Sequence, residues 1–162
     1  MPTKVNEDII VPKDAWKKIK KYIPNERLYM PFWINGNCGR NLKELGFNVF
    51  HQNMDFWEQV EDSFFDIIIG IVSRHSTPYV KQDIIIKLIE LDKPFILIMG
   101  TKTLNTGWFR TLMTSPAGKQ LQLIFNSKRI KFEDKEGKAI KRSFDTCFYC
   151  YKINLIQDIL FV

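Results

Sequence analysis

The chain has 162 residues with 45% hydrophobic and 14% aromatic side chains, and 24 lysines and arginines against 18 acidic residues give a net charge of +6. One sizeable core can form from such a chain and no long linker divides it, so we predict a single domain over residues 1–162, with residues 1–24 as an extension that carries a basic helix. The apolar runs are too short to cross a bilayer and the charged start lacks a signal-peptide core, so we expect a soluble intracellular protein without a membrane partner.

The first half of the chain alternates between helical and extended patterns. Residues 14–23 place apolar side chains on one helical stripe with lysines largely elsewhere, which predicts a short basic amphipathic helix. Residues 27–33 have the pattern of a strand that enters the Gly-rich loop 34–39, and a helix follows until Gly46 caps it. Residues 48–51 form a second short strand.

The second half continues the alternation. Residues 65–72 and 95–99 are apolar strands of the kind that parallel sheets bury on both faces, and residues 81–91 form an apolar helix between them. After a helix over residues 105–113, the C-terminal strands are predicted at residues 121–125, 129–132 and 144–153, with a turn at 134–137. The pattern predicts an α/β fold with a mostly parallel central sheet, antiparallel C-terminal strands and a ligand site at the carboxyl ends of the strands.

The cysteines do not indicate a metal or disulfide framework. Their number, three, is odd, which indicates a reducing compartment. Cys147 and Cys150 have the spacing of half a zinc site, but the chain has no second such pair, and only His51 and His75 could complete one. We interpret this segment as an apolar strand and predict no metal site.

Basic side chains concentrate in the first helix and around a predicted hairpin. A continuous positive face would follow nucleic-acid phosphates, whereas Glu133, Asp134 and Glu136 interrupt the hairpin and favour an ordinary solvated surface. Both alternatives stay open. The residues that would contact nucleic acid on a continuous face are Lys17, Lys21, Lys128, Arg129 and Lys131.

A series of short sequence motifs, in a fixed order, extends over nearly the whole chain from about Asp8. They include Pro12 and Trp16, Pro31-Phe32-Trp33, residues 43–49 (KELGFNV), residues 53–56 (NMDF), residues 90–98 (ELDKPFILI), residues 121–124 (LQLI) and residues 144–151 (FDTCFYCY). In these features the chain resembles the short adenine methyltransferase-like proteins of large DNA viruses and phages. The resemblance implies one Rossmann-like methyltransferase domain, S-adenosylmethionine as cofactor, and a location in the host cytoplasm or the virion.

The resemblance also implies where the cofactor would bind. In the family, a glycine after the first strand lets the backbone approach the cofactor and a nearby acid pairs with its ammonium group. Here the acidic position is Asn35, and the segment after the second strand, which usually carries an acid for the ribose hydroxyls, is the neutral His51-Gln52-Asn53. The cofactor-binding residues implied are Pro31, Phe32, Trp33, Asn35, Gly36 and Asn53.

The catalytic residues follow from the same resemblance. Amino-methyltransferases carry Asn, Asp or Ser before Pro-Pro and an aromatic, so that oxygens accept the hydrogens of the target amine while the ring stacks on a flipped base. The corresponding residues here are Ser76, Thr77, Pro78 and Tyr79, with a Thr in place of the first Pro and a longer spacing from Asp66. The Tyr79 ring suits stacking on a base and packing on the following helix equally.

Three functions are open. We favour a pseudoenzyme, a methyltransferase fold that has lost catalysis and serves as a partner, scaffold or virion-associated component, because cofactor loop, ribose position and catalytic motif all depart from the family pattern. The first alternative is an active S-adenosylmethionine-dependent adenine methyltransferase acting on DNA or RNA, and the second is a basic nucleic-acid-binding module. We expect a chain this short to have no separate target-recognition domain, so that a protein partner or a homodimer would have to choose the target.

Overall fold

The computed structural model describes residues 9–32, 37–52, 56–59, 64–72, 78–140 and 145–162, and these residues fold around a seven-stranded sheet. The strands are β1 (Leu28–Tyr29), β2 (Val49–Phe50), β3 (Ile67–Ile71), β4 (Phe95–Gly100), β5 (Leu121–Phe125), β6 (Thr146–Tyr151) and β7 (Ile159–Phe161). Their order across the sheet is β2-β1-β3-β4-β6-β5-β7.

Strand direction confirms the predicted fold class. β1 is parallel to β2 and β3, and β3 is parallel to β4. β6 runs antiparallel between β4 and β5, while β7 is parallel to β5. The protein is therefore an α/β structure whose sheet is mostly parallel, with antiparallel pairing among its C-terminal strands.

Helices cover both faces of this sheet. They are α1 (Lys13–Ile19), α2 (Asn37–Glu44), α3 (Phe56–Gln59), α4 (Pro78–Glu90) and α5 (Gly107–Thr114), with 3₁₀ turns at Lys20–Tyr22, Thr101–Asn105 and Gly118–Gln120. The predicted first helix tightens to 3₁₀ geometry after Ile19, and α2 ends before Gly46, whose φ of 96° provides the predicted left-handed cap. Within the described ranges, none of the helices has the length and apolar character needed to span a bilayer.

Two apolar cores form because successive strand residues point to opposite faces of the sheet. The first core lies between the sheet and helices α1 and α2, and it includes Ile69, Trp16 and Leu42. The second lies between the other face and helices α4 and α5, and it includes Ile68 and Ile85. All five of these side chains are at most 2% exposed, so the strands β3 and β4 are covered on both sides as their continuous apolar sequences predict.

An ion pair joins the beginning of β1 to the beginning of β3. Asp66 Oδ2 accepts hydrogen bonds of 3.0 Å from both the backbone N–H and Nε of Arg27, and Oδ1 accepts one of 2.9 Å from Nη2. These hydrogen bonds from Arg27 lower the pKa of Asp66 to about 2 and raise the pKa of Arg27 itself. The pair is thus fully charged at neutral pH and fixes two neighbouring strands in register.

The predicted strand over residues 129–132 is wrong. Its two apolar side chains are buried, as their alternation with exposed basic residues suggests, but they join the core beside residues 9–11. Among the described residues, the bridges in this region are isolated ones from Glu133 to Ile10 and to Ala139, and no strand forms over residues 129–132. The segment therefore alternates because it packs on the N-terminal segment, and it does not extend the sheet.

Candidate functional site at the carboxyl edge of the sheet

The carboxyl ends of β1, β2, β3 and β4 meet at one edge because these strands are parallel, and we call it the carboxyl edge. The chain passes from β1 to β2 on one side and then to β3 on the other, so the strand order reverses between β1 and β3. Ligands of open parallel sheets bind in the crevice at such a reversal. The residues that follow these strands are Met30 after β1, His51 after β2 and Val72 after β3.

Two of the predicted cofactor-binding residues lie at this edge. Pro31 is buried and Phe32 is half-buried directly after β1. The ring of Phe32 packs 5.4 Å from the ring of Phe56 in α3, a helix that the sequence pattern did not predict and that also carries the half-exposed Trp57. The remaining predicted cofactor residues, Trp33, Asn35, Gly36 and Asn53, lie outside the described residues.

The predicted catalytic segment is only partly described. Ser76 and Thr77 lie outside the described residues, whereas Pro78 and Tyr79 begin α4, three residues before the predicted start of that helix. Because α4 leads from the carboxyl end of β3 back to the beginning of β4, its first turn lies on the carboxyl side of the sheet. The described members of the predicted cofactor segment, Pro31 and Phe32, and of the predicted catalytic segment, Pro78 and Tyr79, therefore lie near the ends of the neighbouring strands β1 and β3.

Apolar side chains close the described part of the edge between β1 and β3. The cavity left between them measures about 10 Å³, which is room for about one water molecule. Its walls are Val11, Trp16, Met30, Phe32 and Ile71. Trp16 is fully buried, and its Nε1–H has no hydrogen-bond partner among the residues that the structure describes. Helix α1 thus covers part of the edge at which a ligand is expected.

His51 connects the end of β2 to the beginning of α2. Its Nδ1 accepts a hydrogen bond of 3.1 Å from the backbone N–H of Gly39, and a β-carbon at Gly39 would lie only 2.7 Å from this nitrogen. Glycine at this position is therefore what allows the imidazole to approach the helix. Burial, with a smaller contribution from Lys43, lowers the pKa of His51 to about 4, so the side chain is neutral at pH 7.

We expect the stability of the protein to depend on pH through His51. Its folded-state pKa of about 4 is below the usual 6.5, so the unfolded chain binds this proton more readily. The contribution of the neutral His51 to the free energy of unfolding is therefore complete above about pH 6.5. It is lost as the pH falls toward about 4, because the unfolded chain takes up the proton first. Thermal unfolding followed by circular dichroism should show a midpoint that falls with acidification less steeply in His51→Gln than in the natural chain. A His75→Gln variant is the control, and equal pH dependence in all three proteins would contradict the assignment.

A second concave surface, which we call the basic groove, lies between α1 and residues 126–139 and has a volume of about 370 Å³. Three of the residues predicted to contact nucleic acid line this groove, namely Lys128, Arg129 and Lys131. The other two, Lys17 and Lys21, lie outside it. Lys18 of α1 also lines the groove. Lys18 was not predicted from the sequence. It has a lysine directly before it in α1, and the helix changes to 3₁₀ geometry after Ile19, so the spacing of the lysines does not show which of them face the groove.

The cysteines of β6 do not approach each other across a metal site. Cys147 packs in one core and Cys150 in the other, which places them on opposite faces of the sheet. Burial raises the pKa of Cys147 to about 12 and also raises the pKa of Cys150, so neither thiol readily becomes the thiolate that metals bind. The predicted apolar strand is confirmed as β6, and no group of three metal-ligating side chains occurs in the part of the chain that the structure describes.

Models of known protein families, curated proteins and solved structures were each compared with the chain, and none of them matches it.

Proposed function

We propose that this protein has a Rossmann-like methyltransferase fold, similar to the short viral and phage adenine methyltransferase-like proteins, and that it has lost methyl transfer and acts as a partner, scaffold or virion-associated component. One observation carries the proposal. Among the described residues, apolar side chains pack against one another at the carboxyl edge between β1 and β3, and the cavity that they line measures about 10 Å³. Sites for small molecules have volumes of roughly 300 to 1,000 Å³.

The strand order supports the proposed fold. The series β2-β1-β3-β4 is a doubly wound order, with the reversal between β1 and β3 where a nucleotide-like cofactor binds in other folds of this kind. The antiparallel β6 between β4 and β5 agrees with the antiparallel C-terminal strands that the sequence pattern predicts. The proposal thus rests on both topology and the order of short sequence matches.

The end of β2 supports the loss of the cofactor. The family uses a carboxylate there for the ribose hydroxyls, whereas His51 is neutral and its Nδ1 is already bonded to Gly39. Gln52 and Asn35 also lack the charge of an acid. A hydrogen bond to a charged group contributes about 1.5 to 3 kcal/mol and a neutral one about 1 kcal/mol, so these replacements weaken cofactor binding cumulatively.

A binding role also fits the free edge of the sheet. β7 is the last described strand, and its side chains Ile159 and Phe161 are 49% and 76% exposed. The ring of Phe161 stacks on Phe125 at 5.4 Å, which holds an apolar surface beside the edge of β7 with which no described strand pairs. Exposed apolar edges of this kind favour pairing with another chain, either a protein partner or a second copy.

Calorimetric titration of the full chain with S-adenosylmethionine and with S-adenosylhomocysteine tests the proposal. We expect no binding tighter than about 1 mM for either compound, and no rise in the midpoint of thermal unfolding when either is added. Micromolar binding of either compound would overturn the proposed loss of cofactor binding.

The alternative function is an active adenine methyltransferase. Its support is the placement of Pro31 and Phe32 after β1 and of Pro78 and Tyr79 at the start of α4, on the same side of neighbouring strands. Transfer of a labelled methyl group from S-adenosylmethionine to adenine-containing DNA or RNA, abolished by Tyr79→Ala, would establish this alternative. Absence of transfer together with absence of cofactor binding agrees with the pseudoenzyme.

A further inference from the structure

The basic groove is a concave surface whose two walls are both held in place by contacts with the rest of the fold. One wall is the beginning of α1, where Ala15 is buried against the core. The other wall is attached to the N-terminal segment by two backbone hydrogen bonds between Ile10 and Glu133, of 2.8 and 3.0 Å. Two further residues of that wall, Ile130 and Phe132, are buried in the core beneath the groove. Because both walls are anchored, a ligand would not have to pay for ordering them.

The charges of the groove favour an anion. Lys18, Lys128 and Lys131 line it, and none of them forms an ion pair with a carboxylate of the described residues. Arg129 also lines it, but its Nε pairs with Asp145 Oδ1 at 2.6 Å. The three lysines therefore keep their charge available for a ligand.

Acidic side chains limit how much negative charge the groove can accept. Asp14 and Glu133 lie among its lining residues, together with four basic side chains. Their presence disfavours a long run of phosphates through the groove and favours one phosphate group, or one unit of a longer strand.

Asn126 adds a group that can recognise a polar ring. It follows β5 at the carboxyl edge and lines the groove, and its buried Oδ1 has no hydrogen-bond partner among the described residues. A carboxamide pairs with the edge of a base through one acceptor and one donor. The volume of about 370 Å³ is at the lower end of sites that hold small molecules.

We infer that the basic groove binds a phosphate-bearing ligand of the nucleotide class, with Lys18, Lys128 and Lys131 holding the phosphate and Asn126 offering its amide to the base. The ligand is either a free mononucleotide or one nucleotide of a single strand. This site is separate from the closed crevice between β1 and β3, and the inference holds whether or not S-adenosylmethionine binds there.

Two probes distinguish the sources of the phosphate. Adenosine monophosphate is titrated into the full chain by calorimetry, and a fluorescein-labelled single-stranded DNA of about 12 nucleotides is followed by fluorescence anisotropy at several salt concentrations. Binding of both probes indicates a mononucleotide site that also accepts a strand, whereas binding of the DNA alone indicates a site for one unit of a strand. No binding of either probe overturns the inference.

A matched pair of double variants locates the site. Lys18→Ala with Lys131→Ala removes two lysines of the groove, and Lys17→Ala with Lys21→Ala removes two that lie outside it, so both proteins lose the same charge. We expect the groove variant to weaken binding about tenfold and to reduce the slope of log K against log salt by about 1.4 for the DNA, while the control changes the affinity less than about twofold. Equal weakening in both variants would show a diffuse electrostatic surface and overturn the inference, as would an unchanged affinity in the groove variant.

Discussion

Trp16→Ala is expected to lower the free energy of unfolding by about 3 to 5 kcal/mol, a large part of the stability of a domain this size. The Trp16 side chain is fully buried, and its ring centroid lies 5.8 Å from that of Phe148 in β6. It also forms a wall of the small cavity with Met30 and Phe32, so its removal enlarges that cavity and leaves α1 without its main contact to the sheet. Urea unfolding followed by far-ultraviolet circular dichroism measures the loss.

Two further variants separate the causes. Lys17→Ala changes an exposed neighbour in the same helix and should shift stability by no more than about 0.5 kcal/mol. Trp16→Phe keeps a ring in the core and removes the unpartnered Nε1–H, whose burial costs about 1 to 3 kcal/mol, so its loss should be clearly smaller than that of the alanine variant. A loss below about 1 kcal/mol for Trp16→Ala would contradict the packing of α1 on the carboxyl edge.

Helix α1 contributes to both of the surfaces discussed above. Trp16, together with Val11 just before the helix, lines the small cavity between β1 and β3, whereas Asp14 and Lys18 line the basic groove. One short helix thus covers described residues at the carboxyl ends of β1 and β3 and also forms a wall of a separate concavity.

The central part of the fold was predictable because its strands and its helix have long apolar sequences whose pattern is visible within each element. The apolar runs of β3 and β4 are buried on both faces, and the apolar helix between them needs both cores to cover it. The edges were harder to predict. β1 and β2 contain two residues each, and the three-residue β7 was not predicted as a strand, since strands this short are fixed by their neighbours and carry almost no periodicity of their own.

The candidate site was less predictable than the fold. The sequence pattern extended the first strand through residue 33, whereas β1 ends at Tyr29, so Pro31 and Phe32 follow the strand instead of belonging to it. The packing of the described apolar side chains at the carboxyl edge was not predictable, because it depends on how Trp16 packs against residues far away in sequence. For the same reason, the spacing of the lysines in the sequence could not show that Lys18 and the segment after β5 line the same groove.

Gly118→Ala is expected to destabilise the protein by about 3 kcal/mol, because the position has no room for a side chain. A β-carbon there would lie 1.8 Å from the backbone oxygen of Leu112 and 3.0 Å from Ser115 Oγ. The same atoms form the end of α5, where Ser115 Oγ donates to the Leu112 carbonyl at 2.6 Å and accepts from the Gly118 N–H at 3.0 Å. A methyl group would force the backbone apart and break this connection between α5 and β5.

Gly107→Ala is the matched control, since it adds the same methyl group at the first residue of α5. Apart from its chain neighbours and the backbone of its own helix, no atom of the described residues lies within 4 Å of a β-carbon built at Gly107, and alanine favours the helical backbone by up to about 1 kcal/mol over glycine. The control should therefore be neutral or slightly stabilising in the same urea titration. Equal stability of the two variants would show that the backbone at Gly118 can relax away from Leu112 and that the tight turn between α5 and β5 is not required for the fold.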